Sequence, residues 1–247
     1  MVALFDAHAF VGRLPGIEVG SGTVEGLRAS MARVGITSAV VASTTAWLSE
    51  PKRGNHDLLA AIADEPALLP CWVVVPEGCD ELESPAEFLS SSMRHGVVAA
   101  RAFPLDHDYS LVGPDMAGYL EVFAAARLPF LIDIIQTDWE TIETLAARYP
   151  TLPIVVSLIS YVAMRRVTGA LGRHRNIYLA TSEMSGHQAL EWFVQKFGSS
   201  RLLFASGNPV RDPAESVVRL LWSELNDHDV EQIASQNLTA LVAEIRR

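Results

Sequence analysis

Eight short apolar runs, separated by longer amphipathic stretches, constrain the fold of this chain more than any other feature of its sequence. Each run is short enough for one strand, and most of its positions are apolar, which is typical of parallel strands buried on both faces. The runs are residues 2–7, 38–43, 69–75, 97–103, 130–135, 154–158, 177–181 and 202–206.

The stretches between these runs have the apolar periodicity of helices. They include residues 24–34, 55–64, 116–126, 139–148 and 188–197, and residues 229–247 indicate one closing helix. Eight strand–helix units within 247 residues favour a closed (β/α)8 barrel, the TIM-barrel form of the α/β class, over an open doubly wound sheet. No linker or repeat divides the chain, so we expect residues 1–247 to form a single domain.

The composition narrows the range of partners and of cellular locations. A formal net charge of −10 argues against nucleic acid or an anionic membrane as the main partner. No apolar run approaches the ~20 residues of a membrane span, and the N-terminus lacks the basic region of a secretion signal. Cys71 and Cys79 do not have the spacing of a disulfide framework. We therefore expect a soluble cytoplasmic protein.

Sequence motifs lie at several of the predicted strand ends, which is where a barrel of this kind carries its site. They are FDAHAFVG at residues 5–12, GVVAARAFP at 96–104 and RLLFASGNP at 201–209. Two further motifs lie on predicted helices: GNHDL at 54–58, at a helix start, and Gln236 with Asn237 in the closing helix. In order and spacing the set resembles the amidohydrolase superfamily, in particular its branch of small decarboxylase-like and lactonase-like barrels.

This resemblance implies a divalent metal site, but most of the ligand positions are altered in this chain. The first strand of the family carries an H-x-H pair, whereas here His8 is followed by Phe10. Asp133 stands at the position of a histidine on strand 5, Leu158 at that of a histidine on strand 6, and Gly207 at that of an aspartate on strand 8. A catalytic divalent site has about three protein ligands. With His8 and Asp133 as the residual candidates, we expect a degenerate metal site.

Four residues at the strand ends are candidates for binding a ligand or for catalysis: His8, Arg101, Asp133 and Asn208. His8 can serve as a ligand or a general base, or as a hydrogen-bonded residue without a catalytic role. Asp133 can orient His8, or it can pair with Arg101. Arg101 can anchor a small anion through its planar guanidinium, or it can hold a polar layer of the barrel together. Asn208 can line the pocket or serve as a turn residue.

The altered ligand positions favour a pseudoenzyme, because apolar Phe10 and Leu158 replace imidazoles. Such a protein would bind a small anionic ligand without a cofactor, or would act as a homo-oligomer or as a regulatory partner of an active paralogue. The alternative is an active hydrolase or decarboxylase of a small carboxylic acid or lactone, with an atypical site for a divalent metal such as Zn²⁺. The joint presence of His8, Arg101 and Asp133 keeps this alternative open.

Overall fold

All eight apolar runs form strands in the computed structural model of the chain, which describes residues 2–16, 22–78 and 80–247. The strands are β1 (Leu4–Val11), β2 (Ile36–Ser43), β3 (Leu68–Val73), β4 (Ala99–Ala102), β5 (Phe130–Asp133), β6 (Ile154–Ser157), β7 (Ile177–Ala180) and β8 (Leu202–Leu203). They pair in sequence order, and every neighbouring pair is parallel.

Backbone hydrogen bonds bring the last strand back to the first and close the barrel. The N–H of Ala7 donates to the carbonyl of Phe204 at 2.9 Å, and the N–H of Gly207 donates to the carbonyl of His8 at the same distance. The prediction of a (β/α)8 barrel is therefore confirmed. In the closed barrel the carboxyl ends of all eight strands meet at one mouth.

Helices follow the strands around the outside of the barrel. They are α1 (Val24–Val34), α2 (Thr44–Leu48), α3 (Pro51–Ala61), α4 (Pro85–Arg94), α5 (Pro114–Ala126), α6 (Trp139–Arg148), α7 (Met164–Arg173), α8 (Ala189–Phe197), α9 (Pro213–Leu221), α10 (Asp227–Glu231) and α11 (Asn237–Ala243). The predicted bounds of α1 and α6 are confirmed. The predicted closing helix is helical over most of its length, but a π-helical turn, Gln232–Gln236, joins α10 to α11.

The first strand is longer than its apolar run, and this difference bears on the site. The run ends at Ala7, whereas β1 continues to Val11 and so includes His8 and Phe10. Both side chains are buried, with 3% and 2% of their surface exposed. Apolarity alone could not indicate this extension, because a buried polar side chain breaks the run without ending the strand.

The buried side chains of the described residues form one hydrophobic cluster that includes Cys71 and Trp72 of β3. Cys79, which the sequence analysis considered together with Cys71, lies outside the described residues. Among the helices of the described ranges, none combines the length and the apolarity needed to cross a membrane.

Candidate functional site

Three of the four candidate residues meet in the interior of the barrel, near the mouth. His8 lies on β1, Arg101 on β4 and Asp133 at the end of β5. Their exposed fractions are 3%, 1% and 4%, so each is almost fully enclosed. Because they lie at converging strand ends, these three residues were expected to lie together, and the structure places their side chains in mutual contact.

One nitrogen atom of Arg101 joins the other two side chains. Nη2 of Arg101 donates to Nε2 of His8 at 2.9 Å and also donates to Oδ1 of Asp133. Nε2 of His8 lies 3.7 Å from Oδ1 of Asp133. The sequence left two roles open for Asp133, orienting His8 or pairing with Arg101. The structure shows the ion pair with Arg101. Nε of Arg101 is buried and has no hydrogen-bond partner among the described residues.

The contacts of His8 determine its tautomer. Because a guanidinium can only donate, Nε2 must be the unprotonated nitrogen and Nδ1 carries the proton. Nδ1 lies 3.3 Å from the hydroxyl oxygen of Ser182, which can accept that proton. Burial, reinforced by the positive charge of Arg101, lowers the pKa of His8 to about 3, while Asp133 opposes this shift. The imidazole is therefore neutral at physiological pH, and its lone pair is engaged by Arg101.

Asp133 remains a carboxylate although it is buried. Burial by itself raises the pKa of Asp133, but the charge of Arg101 and hydrogen bonds from Ser157 and Arg101 outweigh it and hold the pKa below its usual value. Ser157, at the end of the neighbouring strand β6, donates its hydroxyl to Oδ1. The register pairs Asp133 with Ser157, which explains why the two side chains meet.

Asp6 also belongs to this layer of the barrel, although the sequence analysis did not select it. Oδ1 of Asp6 accepts the backbone N–H groups of His8 and Ser206, each at 2.9 Å, and Oδ2 accepts the hydroxyl of Ser206. Asp6 thereby connects β1 to the segment after β8. Its spacing of two residues from His8 was the available signal, because alternate residues of a strand share a face.

An aromatic wall, formed by Phe10, Trp47 and Phe103, covers the cluster. The ring of Phe10 lies edge-on to His8 with 5.3 Å between centroids, and Trp47 stacks on Phe103 at 4.9 Å. Cζ of Arg101 lies 4.9 Å from the centre of Phe10 and 5.4 Å from that of Phe103. These distances are those of cation–π contacts, so the wall stabilises the guanidinium as well as enclosing it.

Asn208 does not join the cluster of His8, Arg101 and Asp133. Its side-chain amide donates to the hydroxyl of Ser30 on α1, outside the barrel, at 3.1 Å. β8 itself ends at Leu203, and Asn208 is tied to β1 only by an isolated parallel bridge to Ala9. Gly207, beside it, has a positive φ of 74°, which a side chain disfavours.

A large cavity lies away from this cluster. Its volume is about 990 Å³, and Tyr161, His187, Trp192 and Leu225 are among the residues that line it. None of its lining residues belongs to the group of His8, Arg101 and Asp133. The polar cluster at the strand ends and this cavity are therefore separate features of the molecule.

The residues of the cluster do not fit a divalent metal ion. In the part of the chain that the structure describes, no three His, Cys, Asp or Glu side chains are grouped closely enough to hold one. More directly, the guanidinium of Arg101 lies between the two residual ligand candidates, His8 and Asp133. Leu158, at the position where the family has a histidine on strand 6, is only partly buried and has a positive φ of 58°. The guanidinium of Arg101, a cation of the protein itself, already contacts Nε2 of His8 and Oδ1 of Asp133.

Comparisons with solved structures show the same barrel over the whole chain. An amidohydrolase from Burkholderia multivorans superposes with a TM-score of 0.75 at 14% identity, covering 98% of this chain and 99% of the other. A 2,6-dihydroxybenzoate decarboxylase from Rhizobium gives 0.75 at 13% identity, with the same coverage. A 5-carboxyvanillate decarboxylase from Novosphingobium aromaticivorans, complexed with manganese, gives 0.78 at 12% identity, covering 98% and 96%.

Sequence comparison assigns the family. No curated protein sequence matches this chain. The family model described as amidohydrolase, in contrast, matches residues 4–242, which is nearly the full length. The match extends from Leu4, the first residue of β1, to Val242 in α11 and includes the segments that carry His8, Arg101 and Asp133. The chain therefore belongs to the amidohydrolase family.

Proposed function

We propose that this chain acts on a small carboxylic acid at the mouth of the barrel, as a hydrolase or a decarboxylase. The observation that carries the proposal is the guanidinium of Arg101, which lies at the strand ends and whose buried Nε has no hydrogen-bond partner among the described residues. A guanidinium is well suited to a carboxylate because its N–H groups match the two oxygen atoms. Trp47, the one ring of the aromatic wall that is not fully buried, offers an apolar surface to the body of such a ligand.

The comparisons favour this proposal over the pseudoenzyme that the altered ligand positions suggested. Two of the proteins that share the fold are decarboxylases whose names specify aromatic carboxylic acids. Family membership adds hydrolysis as the second reaction class. This proposal does not include the divalent metal that the sequence suggested for an active enzyme, because Arg101 supplies a positive charge where His8 and Asp133 converge. We therefore propose an enzyme whose substrate carboxylate is held by Arg101.

A second candidate function is binding of a small anion without turnover, including a regulatory role beside an active paralogue. The specific observation in its favour is that Arg101 engages the lone pair of His8, so the imidazole is not free to act as a base. The two candidates share one recognition site and differ in whether product is formed.

The test combines binding and turnover. Wild type, Arg101→Lys and Arg101→Met are screened by thermal shift at low ionic strength against benzoates, dicarboxylates and lactones, and the same mixtures are assayed for CO₂ and for hydrolysis products. We expect carboxylates to stabilise wild type, Arg101→Lys to respond weakly, and Arg101→Met to lose about 1.5–3 kcal/mol of binding. Arg201→Met is the matched control, because Arg201 is also buried but bonds the carbonyls of Leu171 and His174.

The outcomes separate the candidates. Carboxylate-dependent product formation that Arg101→Met abolishes supports the enzyme. Stabilisation of wild type without any product supports binding without turnover. If no carboxylate stabilises wild type, or if Arg101→Met responds like wild type, both candidates are rejected.

A further inference from the structure

Two atoms of the kinds that bind metal ions in proteins, an imidazole nitrogen and a carboxylate oxygen, face each other across the guanidinium of Arg101. Nε2 of His8 and Oδ1 of Asp133 face each other at 3.7 Å, and Nη2 of Arg101 bonds to both. A histidine that binds a metal usually donates its other ring N–H to a neighbouring group, which orients the lone pair. His8 has this feature too, because its Nδ1 lies 3.3 Å from the hydroxyl of Ser182.

The guanidinium is a permanent and fixed occupant of this position. An arginine side chain does not lose its proton in a protein. Arg101 is only 1% exposed, and the rings of Phe10 and Phe103 lie 4.9 and 5.4 Å from its Cζ. It neutralises the buried carboxylate of Asp133 and engages the lone pair of His8, which are two tasks that a bound cation would perform.

We propose that Arg101 is a built-in replacement for a divalent ion, and that removing its guanidinium creates a site that binds one. In such a variant Nε2 of His8 and Oδ1 of Asp133 would be free as donors. The hydroxyl of Ser157, which donates a hydrogen bond to Oδ1 of Asp133, would add a third donor atom, an oxygen, at the same place. Divalent transition metals accept imidazole and carboxylate ligands together, so the released set suits Zn²⁺, Co²⁺ or Mn²⁺.

The experiment measures metal affinity and needs no substrate. Wild type, Arg101→Ala, Arg101→Gln and the double variant Arg101→Ala/His8→Gln are titrated with Co²⁺ and Zn²⁺ by calorimetry, and the visible spectrum of Co²⁺ reports its coordination. We expect Arg101→Ala to bind one ion per chain about tenfold or more tightly than wild type, a gain that follows from one repulsive charge removed and two ligands released. The His8→Gln change should remove that gain.

Arg201→Ala is the matched control, because it deletes a buried arginine at the opposite end of the barrel and should leave metal affinity unchanged. An equal gain in that variant would reject the proposal, and so would one equivalent of ion bound by wild type with His8 as a ligand. If Arg101→Ala does not fold, Arg101→Gln carries the comparison, since its neutral amide fills part of the space. No gain in a folded variant also overturns the inference. Because binding of the metal alone is measured, these outcomes are independent of the proposed action on carboxylic acids.

Discussion

Asp6 and His8 stand two residues apart on β1, share the interior of the barrel, and carry opposite pKa shifts. Burial lowers the pKa of His8 to about 3, so it stays neutral. Burial likewise raises the pKa of Asp6 to about 6, although hydrogen bonds from Ser206 and from the backbone of His8 oppose the shift. In each case removal from water disfavours the charged form. These residues therefore link the stability of the barrel to pH.

The raised pKa of Asp6 predicts a specific pH dependence of stability. The folded state binds the proton of Asp6 more tightly than the unfolded state, so this contribution is fully present below about pH 4 and is lost as the pH rises through about 6. The difference from the usual value corresponds to roughly 3 kcal/mol. We expect Asp6→Asn, which resembles the protonated acid, to gain about that much over wild type between pH 4 and 7, measured by urea denaturation.

The control for this prediction is Asp212→Asn. Hydrogen bonds from the backbone of Ala214 and from Arg33 hold the pKa of Asp212 below its usual value, so its stabilising contribution is lost as the pH falls. That loss falls below about pH 4, so Asp212→Asn should differ from wild type by a nearly constant amount between pH 5 and 7, where Asp6 titrates. A difference between Asp6→Asn and wild type that stays constant from pH 4 to 7 would contradict the role given to Asp6.

At the scale of elements, two residues of the GNHDL motif, which lies within α3, hold this helix against its neighbours. A Cβ added to Gly54 would lie 2.1 Å from the backbone nitrogen of Ala46 on α2, so only glycine allows the two helices to approach this closely. The side chain of Asn55 donates to the carbonyl of Val73 and accepts its N–H, both at 2.8 Å, which fixes α3 on β3. The GNHDL motif therefore positions α3 against α2 and β3.

We predict that Gly54→Ala destabilises the protein by about 1–3 kcal/mol, because α3 must move away from α2 to admit the methyl group. Chemical denaturation at neutral pH measures the loss. Gly172→Ala is the matched control, since Gly172 lies in α7 and an added Cβ would contact nothing within 4 Å. That variant should be unchanged or more stable by up to about 1 kcal/mol, through helix propensity. Equal effects of the two substitutions would refute the close-approach explanation.

At the scale of the whole molecule, the C-terminal segment completes the barrel where β8 returns to β1. The backbone N–H of Phe204 donates to the carbonyl of Ile233 in the π-helical turn at 2.9 Å. The side chain of Asn237 donates to the carbonyls of Ser199 and Leu202, both at 2.8 Å, and so satisfies two buried acceptors around β8. The short strand β8 thus depends on the last helix for part of its hydrogen bonding.

We predict that Asn237→Ala lowers the free energy of unfolding by about 1–3 kcal/mol, because two buried carbonyls lose their donor. Gln236→Ala is the control: its side chain is exposed, and the change should stay within about 0.5 kcal/mol of wild type. Thermal and urea unfolding of both variants provide the measurement. An Asn237→Ala protein as stable as the control would show that water replaces the amide and that the closing contact is dispensable.

The sequence by itself determined the barrel and part of the site. Alternating apolar runs and amphipathic stretches predict parallel strands covered by helices, because a strand buried on both faces needs an apolar side chain at nearly every position. The identities of His8, Arg101 and Asp133 at strand ends predicted their convergence, since all carboxyl ends of a barrel meet at one mouth. Apolarity did not indicate the extension of β1 through His8, although the resemblance placed His8 on the first strand. The π-helical turn was not predictable, because it depends on contacts with distant segments.

Only the tertiary structure decided how the converging side chains are used. The sequence left open whether Asp133 orients His8 or pairs with Arg101, and the structure shows the ion pair, with His8 as a third member. In the same structure the side chain of Asn208 points away from this cluster and donates to the hydroxyl of Ser30. The physical reason is that enclosure removes water. A carboxylate, an imidazole and a guanidinium that are buried together must satisfy one another, and which atoms they use depends on distances that strands far apart in sequence establish.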